Sequence, residues 1–411
     1  MPNMVDNHRP SFSSRLLAPY RRITSTGQFI PEIDGLRFIA IFSVFIYHLA
    51  GDILRHSPAN LHASLDHNWL FSVTQILNIG VPLFFVISGF ILGMPFAASH
   101  LHRQRAVPLK KYFLRRLTRL EPPYILCLLL FFALKVVAAR GSASELFPNL
   151  MASVFYVHNL VYGMPSVINF VAWSLEVEIQ FYILAPVLAL VFTIPRASTR
   201  RAVLAVLLLL ATGISRLVAG NGALEHSLLG FAQYFLAGFL LTEFYLSGGE
   251  KRQANWLWDL ASAGGWAMLL VLLVRGGAPA EWIGPWLILG LYIAAFQGVA
   301  MNRFVSNAWI TTIGGMCYTI YLLHNYLVAG AGMVTERVLP QYPFWARLMI
   351  QFVLISPFVL GISALYFRWV ERPCMRPDWP QRVLAAFGRL KNRRFWAPAA
   401  ASSVSSGDYK P

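Results

Sequence analysis

The feature that most constrains this chain is a series of about ten apolar runs, each of roughly 20 residues, enough for a helix to cross about 30 Å of hydrocarbon. They lie near residues 31–51, 72–94, 119–139, 173–194, 202–219, 228–247, 256–275, 282–300, 309–330 and 347–370. Continuous runs exclude a membrane β-barrel, whose strands alternate apolar and polar side chains. Charged residues make up 13% of the 411 positions, about half the share expected of a soluble chain. The expected fold is therefore an all-α polytopic membrane protein, a bundle of about ten transmembrane helices. No globular catalytic domain fits outside it, so any chemistry must be built from helices and short loops.

The net charge of +16 would raise the question of nucleic acid in a soluble protein. Here the basic residues alternate with the spans. With the N-terminus inside, most Lys and Arg fall in cytoplasmic segments, which is the positive-inside pattern. An even number of spans puts both termini in the cytoplasm, so the charge is read as topology and no nucleic-acid partner is expected. The first thirty residues have no signal-peptide pattern. Cys127, Cys317 and Cys374 have no metal or disulfide spacing and are read as packing residues. Residues 1–28 form a basic cytoplasmic segment, 29–376 the transmembrane domain and 377–411 a basic, disordered cytoplasmic tail. No repeat of 20 to 50 residues is present. The outer stretch 140–172 is apolar but broken by Pro148, Gly163 and Pro165, as a re-entrant or interfacial segment would be.

Ionisable residues inside a span cost a few kcal/mol and mark candidate sites. Arg37 and His48 are eleven residues apart, which puts them on one helical face roughly 16 Å apart along the axis. Asp52 stands one turn beyond His48, where it could orient the imidazole; an arginine reaching for headgroups beside a core histidine is the plainer reading. Glu176 and Glu178 open the fourth span and point about 200° apart, so both cannot serve one site. Either one lines a cavity, or both cap the helix N-terminus. His324, with Tyr321 on the same face, falls in the outer half of the ninth span. Arg115, Arg116 and Arg119 enter the third span as topology anchors or as a phosphate site, since guanidinium forks bind phosphate. His56, His62 and His67 with Asp52 and Asp66 lack a metal-binding spacing, and no metal is expected. Together these residues place arginines at the inner end and a His/Glu/His set further out. That arrangement suits a phosphorylated donor from the cytoplasm and an acceptor from the other face or the membrane.

These motifs resemble the membrane-bound acyltransferase-3 family over residues 29 to 376. IDGLRFIAIFSVFIYH is similar to its first-helix signature, with Arg37 and His48, and GVPLFFVISGFIL to its second helix, with Ser88 and Gly89. FLRRLTRLEPPY resembles its arginine-rich third motif, and WSLEVEIQFYILAP its WSLxxE pattern with Glu178 as the glutamate. YTIYLLH is similar to its late tyrosine-histidine motif, although Cys317 stands where serine is usual, and Glu371 to Pro373 to its closing ERP. The resemblance implies a multi-pass acyltransferase of the cell (inner or plasma) membrane. It would move an acyl group, most often acetyl from acetyl-CoA, to a hydroxyl of an envelope or exported glycan or glycolipid, a polysaccharide O-acetylation. In this reading Arg37, Arg115, Arg116 and Arg119 hold the acyl-CoA. His48 is the general base or, as the lesser alternative, a transient acyl carrier; Asp52 or Glu178 orients it, and His324 is a helper or acceptor contact. Many members carry a fused SGNH-type hydrolase domain that this sequence lacks, which leaves room for a separate extracytoplasmic transferase partner. The rival class is a transporter or acyl-group carrier without transferase chemistry. It would show broken helices near the midplane.

Overall fold

The computed structural model describes residues 12–23, 29–57, 68–102, 104–138, 140–247, 254–339, 341–376, 378–382 and 385. His62, Asp66, His67 and the tail beyond 385 lie outside them. Ten long helices order the described chain: α1 (Pro31–His56), α2 (Gly80–Leu101), α3 (Leu109–Val137), α4 (Trp173–Leu188), α5 (Ala197–Leu217), α6 (Leu228–Ser247), α7 (Trp256–Arg275), α8 (Ala278–Gln297), α9 (Cys317–Thr335) and α10 (Phe344–Tyr366). Among the described residues there is no strand, and nine helical stretches are long and apolar enough to cross a membrane. The tenth, α9, has 19 residues and is made less apolar by His324, Asn325 and its tyrosines.

Local signals explain the ends of α1. Pro31 opens the helix, Glu32 and Asp34 sit in its first turn, and Arg55 and His56 in its last, matching the helix dipole at both ends. Several helices outrun the expected spans. α3 begins at Leu109, ten residues before the apolar run, because the basic stretch KKYFLRRL is still a good helix former. It also runs straight through Pro122 and Pro123, and hydroxyls of Tyr318 and Tyr366 take up the carbonyls of Leu120 and Pro123 there (2.9 and 2.6 Å). The single run expected over 309–330 is in fact two helices, Ala308–Gly315 and α9, parted at Met316 after a Gly-Gly pair.

α1 is the centre of the bundle, packed against α2, α9, α10 and the Ala308–Gly315 helix. Without a hydrophobic force between helices in lipid, small residues let backbones approach. A Cβ on Gly89 would lie 2.2 Å from the Phe235 carbonyl, and one on Gly238 2.2 Å from the Val86 carbonyl, so α2 and α6 interlock reciprocally. α7 is peripheral, with 11% of its apolar window buried against 61% for the stretch containing α2.

The stretch 140–172 folds as two short helices, Ala143–Val154 and His158–Tyr162, and then irregular backbone. Ser142 and Glu145 form a reciprocal cap on the first. The irregular part returns into the bundle: Tyr326 donates to the Ile168 carbonyl (2.5 Å), Asn169 to the Leu322 carbonyl (3.2 Å), and Ser153 and Ser166 share a 2.6 Å bond. Protein partners thus supply what lipid could not.

Candidate active site

α1 and α9 bring His48 and His324 together, with ring centroids 4.9 Å apart and planes tilted by 59°. His324 is fully buried. Its Nδ1 donates to the carbonyls of Ile320 (3.1 Å) and Tyr321 (2.9 Å), one turn back on its own helix. The proton is thereby fixed on Nδ1, and Nε2 presents its lone pair to the interior with no hydrogen-bond partner. His48 is half-buried and flanked by Phe170, brought there by the returning outer stretch (6.3 Å). A half-open imidazole beside a buried, tautomer-fixed one is suited to proton transfer with a hydroxyl.

The next layer is tyrosine and serine. Tyr321 packs on His324 (5.7 Å) and donates to the Val171 carbonyl (2.9 Å), and its oxygen shares a 2.6 Å bond with Ser174 at the start of α4. One helical turn along α4, Glu178 accepts from Ser88 of α2 and from Tyr182, each at 2.6 Å. Tyr112 donates to the Tyr182 carbonyl (3.1 Å), and the Arg116 guanidinium lies 3.9 Å from the centre of the Tyr112 ring. Beyond these, Arg37 pairs with Asp34 (2.6 Å), and Arg37 and Arg119 both lie within reach of the Glu371 charge. Polar groups therefore run as a thread through the interior, from Arg37 near the start of α1 to the histidine pair about three turns away.

The two glutamates of α4 diverge as their spacing demands. Glu178 joins the thread. Glu176 is fully buried and accepts the Asn159 backbone N–H (2.8 Å), capping the short His158–Tyr162 helix rather than its own. Asp52, also fully buried, pairs with Arg55 (3.0 Å) and His56 (3.5 Å) and makes no hydrogen bond to His48. The four arginines expected to act together are spread out. Arg37 and Arg119 share the neighbourhood of Glu371, Arg116 is stacked on tyrosines, and Arg115 is exposed. Asp34, Ser174 and Phe170 went unnoticed in the sequence; only Asp34, three residues before Arg37 on a helix, had a readable signal. Among the described residues no group of three or more His, Cys, Asp or Glu could hold a metal. The three cysteines are buried and unpaired in disulfides. A cavity of ≈ 520 Å³ lined by His100, His102, Phe192, Arg200 and Ser247 lies apart from the thread.

Comparison with known proteins assigns this architecture. The model of the acyltransferase domain family matches residues 30–368. The O-acetyltransferase OatA of Staphylococcus aureus (strain NCTC 8325 / PS 47) is 25% identical over 379 residues, covering 84% of this chain and 57% of its own length. A putative O-acetyltransferase of S. aureus strain COL is 24% identical over 398 residues, covering 88% of this chain and 61% of its own. The chain thus spans about three fifths of the length of these relatives. No solved structure matches. Since the matched stretch takes in all ten long helices together with Arg37, His48, Arg119, Glu178 and His324, the chain belongs to the acyltransferase-3 family.

Proposed function

We propose that this protein is an O-acyltransferase of the cell membrane, with both termini in the cytoplasm and residues 29–376 as its acyltransferase unit. It takes an acyl group, acetyl by analogy with its relatives, from acyl-CoA and passes it to a hydroxyl of an envelope glycan or glycolipid. The observation that carries this reading is the histidine pair: His48 half-open, against a buried His324 whose Nε2 is free.

The donor's phosphates are held by Arg37 and Arg119, with Arg116 beside them, and the pantetheine arm lies along the thread past Glu178 and Tyr321. His48 accepts the proton of the acceptor hydroxyl as the oxygen attacks the thioester carbonyl. The new ester C–O bond forms, the C–S bond breaks, and the CoA thiolate leaves and takes up the proton from His48. Glu178 anchors Ser88 and Tyr182 along the path, and His324 backs His48. Asp52, tied to Arg55 and His56, fixes the end of α1 beyond the site.

The test is release of free thiol from acetyl-CoA by purified protein in nanodiscs, with a cell-envelope glycan extract as acceptor. Release should require the extract and vanish in His48→Ala. Thiol release by His48→Ala at the wild-type rate would remove the role given to that histidine. Failure of wild-type protein to cleave any acyl-CoA in a small panel would favour the carrier reading.

A further inference from the structure

The segment before α1 is built into the site. Residues Ala18–Tyr20 form a single 3-10 turn, and Arg372 of the ERP motif pins the strap by donating to the carbonyls of Arg21 (3.1 Å) and Ala18 (3.5 Å). Leu17 is buried beneath it. This fixes Arg22, whose stem packs over Gly315, where a Cβ would lie 3.5 Å from the Arg22 Cβ. The Arg22 guanidinium turns inward, 3.4 Å from Asp34, the carboxylate that also holds Arg37, with its side chain 12% exposed.

Three guanidiniums then face two carboxylates. Arg22 is near enough to Arg37 and Arg119 to feel both charges, and Glu371, bonded to Thr319 (2.5 Å), is the second acid beside Arg37 and Arg119. The pairing is incomplete. Arg22 Nε and Asp34 Oδ2 face each other at 3.4 Å as an ion pair without a hydrogen bond, and Arg119 Nε is buried with no hydrogen-bond partner. Burial, helped by Arg37 and Arg119 and opposed by Asp34, pushes the Arg22 guanidinium down to about 9. Arginine forks converging from three separate segments match the oxygens of a phosphate or pyrophosphate, which each can engage bidentately.

We propose that Arg22, Arg37 and Arg119 form one phosphate-binding site, completed by the N-terminal strap, in which Asp34 is the internal counter-ion that an arriving phosphate displaces. Arg22 lies ahead of the stretch matched by the family model. The phosphate chemistry stands on the arginines alone; its assignment to an acyl-CoA rests on the function proposed above. An anionic phospholipid headgroup offers the same chemistry from another source.

The experiment measures binding of CoA and of inorganic pyrophosphate to the full chain, in nanodiscs of zwitterionic lipid and of lipid containing phosphatidylglycerol. Pantetheine, which has no phosphate, is the control ligand. Wild type is compared with Arg22→Gln, Arg22→Lys and Arg21→Gln, the last making the same charge change at the exposed neighbour. Arg22→Gln should weaken CoA on the order of ten- to a hundredfold, leave pantetheine unchanged and be partly restored in Arg22→Lys, while Arg21→Gln binds as wild type. Asp34→Asn, if it remains folded by size-exclusion chromatography, should tighten CoA several-fold. Binding of pyrophosphate but not CoA through Arg22 would keep the site and refute the acyl-CoA donor. A requirement for Arg22 seen only as retention of phosphatidylglycerol would keep the site and assign the phosphate to lipid. Arg22→Gln indistinguishable from Arg21→Gln with every ligand, or wild type that binds none of them, would overturn the inference.

Discussion

Arg200 and the arginines around Asp34 are both buried in the bundle, yet they are handled in opposite ways. Arg200 donates to both oxygens of Glu243 (2.8 and 2.9 Å) and to the carbonyls of Ile194 and Pro195 (2.8 and 3.0 Å). Glu243 in turn accepts from Ser247 (2.8 Å). The pair ties α5 to α6, with four of the five guanidinium N–H bonds and both carboxylate oxygens engaged. Arg22, Arg37 and Arg119 share Asp34 and Glu371, and part of their hydrogen-bonding capacity is unused. His324, whose buried Nε2 is free, belongs with the second group. Saturated polar groups hold helices together, whereas unsaturated ones are available to something that comes and goes.

This contrast can be broken by variants that affect the wrong property. His48→Ala should lower acyl transfer on the order of 10⁴-fold, about 5 kcal/mol of barrier, with the thermal transition of the purified protein almost unmoved. An equal loss of folded protein would place His48 on the structural side. Arg200→Leu should do the reverse. Stranding the buried Glu243 carboxylate costs about 3–5 kcal/mol of stability, so expression and detergent half-life fall while thiol release per folded molecule persists. Turnover lost without a stability change would move Arg200 into the chemistry. Gly332→Ala, whose Cβ would lie 1.8 Å from Asp52 Oδ2, should cost ~1–3 kcal/mol by overpacking and slow transfer as well, because it separates α1 from α9. Unchanged activity would show that the spacing of the histidine pair tolerates movement there. The smallest effect is expected of Ser88→Ala, which removes one neutral donor from Glu178: about 1 kcal/mol, read as a severalfold drop in kcat with KM for acetyl-CoA held.

Apolar run length made the spans legible, and helical spacing made Arg37, His48, Glu178 and His324 legible, since both are properties of a short window. What a residue contacts across the bundle was not. Nothing near Glu176 announces the Asn159 amide, 17 residues away, and nothing near Arg22 announces Asp34 across an unpatterned segment. One-turn spacing puts Asp52 on the His48 side of α1, but Arg55 and His56 stand close to it on the same helix and pair with it. The break at Met316 was foreshadowed by Gly314 and Gly315, but a hydropathy window averages over such punctuation.

Glycine contacts along α1 bear on how this sequence can change over time. Gly314 meets the Asp34 carbonyl, Gly80 the Ala40 carbonyl and Gly332 the Asp52 carboxylate, at distances of 1.7, 2.4 and 1.8 Å from an added Cβ. Drift at these positions is blocked even though none of them carries a side chain. In a library of random variants screened for survival, they should be depleted as sharply as the histidines, while the lipid-facing surface of α7 accepts most apolar replacements.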